Sequence, residues 1–184
     1  MKTVIKETRE RMQKSLEAFE SNVAVVRTGR ANPAMLQRVV VEYYGAMTPL
    51  NQLAGISSPD PRTLLVAPFD KSAIKAVEKA IIEADLGFNP NNQGDTIFIT
   101  VPPLNDERRR DLVKTVKHLA EEAKVAIRNI RRDANEELRE MYKEHLLTED
   151  ETRHGEGDVQ KLTDEFVAAI DQRTKAKEED ILAV

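Results

Sequence analysis

The chain has no cysteine and no tryptophan. Without thiols it can form no disulfide, no Cys-ligated zinc site and no thiol nucleophile, and a reducing compartment is its simplest setting. Aromatic residues amount to 4% of its 184 positions and charged ones to 33%. That balance favours helices with solvated faces over a large aromatic core. No apolar run approaches the ~20 residues of a membrane-spanning helix. The N-terminus, Met1-Lys2-Thr3-Val4-Ile5-Lys6-Glu7, turns charged at once and lacks the apolar core of a secretory signal. The expectation is a soluble, cytoplasmic protein without a membrane partner. The seven glycines are scattered and make neither a phosphate loop nor a dinucleotide fingerprint, so no cofactor is expected. His118, His145 and His154 each lack a second histidine one turn away and offer no metal site; His118 reads as a helix-surface or packing residue. The acids sit mainly on long helical segments among Lys and Arg, as on a solvated face. With no acid–base or nucleophile set in view, the chain is not expected to be an enzyme.

What is present is organised around Asp106–His145, a stretch without glycine or proline. Leu112, Val116, Leu119, Ala123, Ala126, Ile130, Ala134, Leu138 and Met141 recur in steps of three and four, one stripe of a helix. At 1.5 Å per residue this is a rod of roughly 60 Å, with Asn105 or Asp106 to cap it and Asp106 and Glu107 at the positive end of its dipole. A second helical pattern covers residues 2–28, with Ile5, Met12, Leu16, Phe19, Val23 and Val26 as its stripe and Gly29 as its expected end. A third runs from about Asp150 to Leu182 through Val159, Leu162, Phe166, Ile170 and Ile181. Thr148 and Glu151 have the spacing of a capping box. Gly155 and Gly157, at about 1 kcal/mol each inside a helix, predict weak first turns or a firm start only at Asp158.

All eight prolines lie between positions 33 and 103. Between them Val39–Tyr44 reads as a strand turning at Gly45, Thr63–Val66 as a second strand, and Thr96–Val101 as a third. Asp70 is placed to cap a helix over roughly 71–85 carrying Ile74, Val77 and Ile81, ended by Leu86-Gly87, and Asn89–Asp95 is turn chemistry. The predicted fold is α+β. Residues 1–30 and 105–184 form an antiparallel three-helix bundle, and residues 31–104 an inserted β/α/β domain. The two chain crossings, Arg30-Ala31-Asn32-Pro33 and Pro102-Pro103-Leu104, form the expected hinge.

Charge is unevenly distributed. The net is +3 over residues 1–30, −2 over 31–104, +1 over 105–147 and −6 over 148–184, so an acidic protein can still present a basic face. Arg128, Arg131 and Arg132 surround Ile130 on adjacent turns. Two readings stand: intrahelical ion pairs with Asp133 and Glu136, or guanidinium groups held out for bidentate phosphate contact. Arg108, Arg109 and Arg110 make a second cluster at the base of the same helix, with Arg27 and Arg30 near it if the bundle is antiparallel. If the arginines are merely paired, the chain reads as a coiled-coil adaptor for a protein partner.

Several segments together resemble one family. They are Arg27-Thr28-Gly29-Arg30-Ala31-Asn32-Pro33, Val41-Glu42-Tyr43-Tyr44-Gly45, Asp85-Leu86-Gly87-Phe88-Asn89-Pro90, Pro103-Leu104-Asn105-Asp106-Glu107-Arg108-Arg109, Val125-Ala126-Ile127-Arg128-Asn129-Ile130-Arg131-Arg132-Asp133-Ala134-Asn135 and Val159-Gln160-Lys161-Leu162-Thr163-Asp164. In this order, and over nearly the whole chain, they resemble the ribosome recycling factors. Asn105 stands where that family often has Thr, and Gly155 and Gly157 are a second departure. The resemblance implies an L-shaped, two-domain, monomeric factor that is not an enzyme. It would bind large-subunit ribosomal RNA and, with elongation factor G and that partner's GTP hydrolysis, split post-termination ribosomes. It places the family's critical arginine at Arg131, flanked by Arg128 and Arg132, with Arg27, Arg30, Arg108, Arg109 and Arg110 as further RNA ligands.

Overall fold

The structure, a computed structural model, describes residues 1–87 and 89–183; Phe88, in one of the family-like segments, lies outside them. In chain order the elements are α1 (Lys2–Ala24), β1 (Val40–Tyr43), β2 (Ala46–Pro49), α2 (Leu50–Leu53), β3 (Ala54–Asp60), β4 (Thr63–Pro68), α3 (Ile74–Glu83), β5 (Pro90–Asn92), β6 (Ile97–Thr100), α4 (Asp106–Lys143) and α5 (Glu149–Leu182). Single 3₁₀ turns occupy Pro33–Leu36 and Lys71–Ala73. The chain forms two compact units: Met1–Val23 with Lys114–Glu178, and Ala24–Val113 with Glu179–Val184.

The first unit is a three-helix bundle. α1 buries Val4, Thr8, Met12, Leu16, Phe19 and Val23, and α4 buries Val116, Ala120, Ala123, Ile127, Ile130, Ala134 and Leu138. Both are helical stripes. They meet Leu162, Phe166 and Ile170 of α5 in one cluster, and Val4, Ala134, Leu138, Leu147 and Val159 close a second. Cross-helix ion pairs report the topology. Lys124–Asp171 (2.6 Å) and Arg139–Glu156 (3.2 Å) make α4 and α5 antiparallel, while Arg9–Glu165 (3.2 Å) and Arg173–Glu20 make α1 and α5 parallel. Such exposed pairs contribute about 0–1 kcal/mol each, whereas each fully buried Leu or Ile contributes about 1.5–3 kcal/mol. The core therefore holds the bundle and the ion pairs set its register.

Three details differ from the sequence expectation. The α4 stripe rolls toward Ala120 and Ile127, leaving Leu119 and Ala126 half-buried, because a helix packed against two others buries a wider face than one seam. α1 stops at Ala24, not at Gly29, and Gly29 has no left-handed backbone. The chain turns earlier because Val26 and Thr28 are buried and the Thr28 hydroxyl bonds the Arg30 backbone. α5 is continuous from Glu149, with no weak first turns. Its capping box forms reciprocally, Thr148 N–H to Glu151 Oε1 at 3.2 Å and Glu151 N–H to Thr148 Oγ1 at 3.1 Å. Gly155 is a contact residue: a Cβ there would lie 3.0 Å from Met1 Sδ and 3.1 Å from Leu138 Cδ1.

In the second unit a four-stranded antiparallel sheet runs β3-β4-β6-β5, beside a two-stranded hairpin of β1 and β2. Leu64 and Val66 of β4, Ile97 and Ile99 of β6, Val41 of β1, and Ile74, Val77 and Ile81 of α3 share one core. The hairpin turns through Tyr44 (φ 49°) and Gly45 (φ 78°), the two left-handed residues of a type I′ turn. β2, β3 and β5 had no clear sequence signal; β3 carries Gly55, Ser57, Ser58 and Pro59, and β5 falls inside the Asn-rich turn segment. Asp70 caps the turn into α3 by accepting from Ser72 N–H at 2.9 Å, and it also accepts the Tyr43 hydroxyl at 2.8 Å. The Ser72 hydroxyl, which donates to Oδ1 at 2.6 Å, and then the Tyr43 bond hold the Asp70 carboxyl below the usual range, and the bond to Asp70 pushes the Tyr43 phenol up to about 12.

Two stability predictions follow from these contacts. Gly155→Val should destabilise the bundle by about 1–3 kcal/mol through overpacking, while Gly157→Ala, in open space on the same helix, should stabilise it by roughly 0.5–1 kcal/mol. Urea unfolding of the two variants checks the opposite signs. Because the Asp70 carboxyl titrates lower folded than unfolded, its contribution is complete above the unfolded value of ~4 and disappears as pH falls through the folded one. Asp70→Asn should flatten that part of the acid-unfolding profile; an unchanged acid limb would contradict the assignment.

Candidate nucleic-acid interface

The basic turn of α4 is oriented by two core side chains. Ile127 is fully buried and Ile130 is 6% exposed, which fixes the roll of the helix. At 100° per residue, Arg128, Asn129 and Arg132 then point outward, and all three are exposed. Arg128 and Arg132 lie one turn apart, with Cβ atoms roughly 5–6 Å from each other. Arg131 sits half-buried at the flank toward α5, where its Nη1 donates to Gln160 Oε1 at 3.4 Å. Gln160 in turn donates from Nε2 to Asp164 Oδ1 at 2.9 Å. Gln160 lay beyond sequence reasoning because nothing local marks a contact 29 positions away.

The geometry bears on the ion-pair reading of this turn. Asp133 is taken by Arg11 of α1 at 3.0 Å, and Lys124 is taken by Asp171 at 2.6 Å and Glu121 at 3.7 Å. The hydrogen bond to Asp171 raises the Lys124 pKa against its partial burial, so that cation is committed to structure. Among the described residues Arg128 and Arg132 form no ion pair. Two fixed guanidinium groups therefore face solvent on a helix that runs unbroken from Asp106 to Lys143, ready to accept planar, two-point anion contact.

The other predicted arginines belong to the second unit. Asn105 caps α4 by accepting from Arg108 N–H at 2.7 Å. Arg108 and Arg110 are exposed there, and Arg109 reaches Asp106 at 3.5 Å. Arg30 is exposed, whereas Arg27 turns inward to donate from Nη2 to the Pro102 carbonyl. Burial, and then the nearby charge of Arg108, lower the Arg27 pKa. The eight arginines thus form two groups, Arg128, Arg131 and Arg132 in the first unit and the remaining five in the second. His118 bonds Glu122 on the helix surface at 2.8 Å, as expected. No group of three or more His, Asp or Glu among the described residues could hold a metal ion.

Comparison with known proteins gives a consistent result. The family model for ribosome recycling factor matches residues 19–182. A ribosome-recycling factor of Thermus thermophilus is 56% identical over 182 residues, covering 99% of this chain and 98% of that protein. One from Bacillus subtilis is 54% identical over 183 residues, covering 100% and 99%. A solution structure of the ribosome recycling factor superposes with a TM-score of 0.82 at 39% identity, covering 100% of this chain and 97% of that one. A further structure, of the T. thermophilus ribosome recycling factor and E. coli elongation factor G as models bound to the E. coli post-termination complex, gives a TM-score of 0.71 at 55% identity, covering 99% and 98%.

Since Arg128 and Arg132 support nothing in the fold, the double variant Arg128→Ala/Arg132→Ala should unfold within about 0.5 kcal/mol of the parent chain. A larger loss in thermal or urea unfolding would return these residues to a structural role.

Proposed function

The chain belongs to the ribosome recycling factor family, and on that premise we propose that it acts on the post-termination ribosome together with elongation factor G, gripping large-subunit RNA through the outward turn of α4. The observation that carries this reading is the pair Arg128 and Arg132, exposed and unpaired beside a half-buried Arg131 whose rotamer Gln160 limits. A rigid helix presents these cations without the ordering cost that a loop would incur. Contacts to RNA are mostly with phosphate and shape, because the deep groove of A-form helices is closed to side chains. The exposed Arg108 and Arg110 extend the basic surface of the second unit toward the same kind of ligand. Eleven acids against five bases beyond position 147 make α5 the helix least suited to face RNA.

The work is mechanical, and the chain does not turn over a substrate. GTP hydrolysis by elongation factor G supplies the free energy. The crossings Arg30-Ala31-Asn32-Pro33 and Pro102-Pro103-Leu104 act as the hinge along which the partner's motion is transmitted. Both contain X-Pro bonds that bias the preceding residue toward extended backbone, so each crossing is stiff along its length and bends at few points. The setting is the cytoplasm, in keeping with a chain that lacks cysteine and, among the described residues, has no helix long and apolar enough to cross a membrane.

Two experiments address this reading. Arg131→Ala should weaken binding to large ribosomal subunits by about 1–3 kcal/mol and reduce the salt dependence of that binding. Equal sedimentation with the subunits at every salt concentration would remove the residue from the interface. Replacing Pro102 and Pro103 together by glycine should leave subunit binding intact and slow splitting in the presence of elongation factor G and GTP; undiminished splitting would count against the hinge.

A further inference from the structure

A cavity of about 760 Å³ in the second unit is lined by Arg30, Ser58, Asp60, Arg62, Pro103 and Arg109, among others. We propose that it is a binding site for a small phosphate-bearing anion, distinct from the RNA-gripping turn of α4.

The cavity is lined by four chain segments, the fourth being Ala183, and three of them are joined by backbone hydrogen bonds. The corner between β3 and β4 accepts from Ala31 N–H at Pro61 O (2.7 Å) and from Val101 N–H at Arg62 O (2.7 Å). Within the corner Asp60 Oδ1 accepts Arg62 N–H at 2.9 Å, and Ser58 Oγ donates to Asp60 O at 2.7 Å. These bonds tie the corner to both crossings. Three arginines, Arg30, Arg62 and Arg109, line this frame. Arg30 and Arg62 are exposed and form no ion pair among the described residues. Arg109 has a side chain only 20% exposed, with a single long contact of 3.5 Å to Asp106. Its Nε is buried with no hydrogen-bond partner. That atom is shielded from solvent, so the exposed Arg30 and Arg62 are the donors that an anion in the cavity would meet first.

The lining also restricts the ligand. Three cations face one carboxylate, Asp60, which excludes cations and favours an anion of more than one charge. Arginine pairs with phosphate through two parallel N–H donors. The remaining wall is aliphatic, with Pro59, Pro61, Pro103 and Leu104. Among the described residues no aromatic side chain lines it, so none of them offers base stacking. The volume falls within the ~300–1,000 Å³ range of small-molecule sites, and its concave form suits a compact organic phosphate better than the convex backbone of an RNA helix. Arg62 had no signal in the sequence. It enters through the β3–β4 corner, which brings it to the same cavity as two arginines that precede and follow it by about 30 and 50 residues.

The test is a titration of the full chain with sodium pyrophosphate at constant ionic strength, followed by amide ¹⁵N–¹H correlation spectra with sodium chloride as control. The expected result is saturable shifts at Arg30, Ser58, Arg62 and Arg109, with affinity reduced at least tenfold in Arg62→Ala and, separately, in Arg30→Ala. Both side chains are exposed, so the fold should tolerate either change. Arg131→Ala should leave the pyrophosphate titration unaltered, which keeps this site separate from the RNA reading. Shifts that rise linearly and equal those of chloride, shifts centred on Arg128–Arg132, or unchanged affinity in both alanine variants overturn the proposal. A short RNA duplex that reproduces the same shifts at the same concentration overturns the assignment to a small ligand.

Discussion

The seating of Ile127 and Ile130 between α1 and α5 decides how the rest of the molecule can work. A helix carries its side chains at fixed angular steps, so anchoring two positions in the core sets the direction of every other position on those turns. Arg128 and Arg132 point outward for that reason alone. The bundle that receives the two isoleucines is held by a continuous apolar layer, Met12, Leu16, Phe19 and Val23 against Leu162, Phe166 and Ile170. Its surface ion pairs then select one register. Loss of that layer would leave the cations present but undirected.

Charge in this protein is allocated by position. Three acids near the basic turn are engaged by other cations: Asp133 by Arg11, and Asp171 and Glu121 by Lys124. The same allocation applies along the bundle, where Glu20, Glu156 and Glu165 each meet an arginine from a neighbouring helix. A net charge of −4 is therefore compatible with an anion-binding face, since the field close to a surface is set by the nearest charges once salt screens the others beyond a Debye length of roughly 8–10 Å.

The second unit solves a different problem. Among the described residues its core cluster holds no aromatic and is assembled from β-branched and aliphatic residues, chiefly of β4, β6 and α3. Proline is concentrated at its edges and corners, where no sheet hydrogen bond is forfeited. The β3–β4 corner carries Pro59 and Pro61 and is tied by its carbonyls to Ala31 and Val101. The same residues that end the strands thus hold the two crossings in register and leave a polar cavity between them.

Much of this was legible in the chain itself. Three long apolar stripes, the capping residues Asn105, Asp70 and Thr148, the strands around Leu64 and Ile99, and the insertion between the first two helices are local patterns, and local patterns follow from helical and strand periodicity. The spacing of Arg128, Arg131 and Arg132 on one helix was legible too, because it needs no tertiary information. The short strands β3 and β5 were hidden because residues such as Gly55, Ser58 and Asn91 have little strand preference of their own, and only pairing with β4 and β6 extends them. The early end of α1, the contact role of Gly155, and the partnerships of Arg131 with Gln160 and of Arg109 with the Arg30–Arg62 cavity all depend on segments distant in sequence. Periodicity determined which residues could face outward together. Packing decided which cations remained free, because an ion pair or a buried guanidinium is created only when a second element arrives beside it.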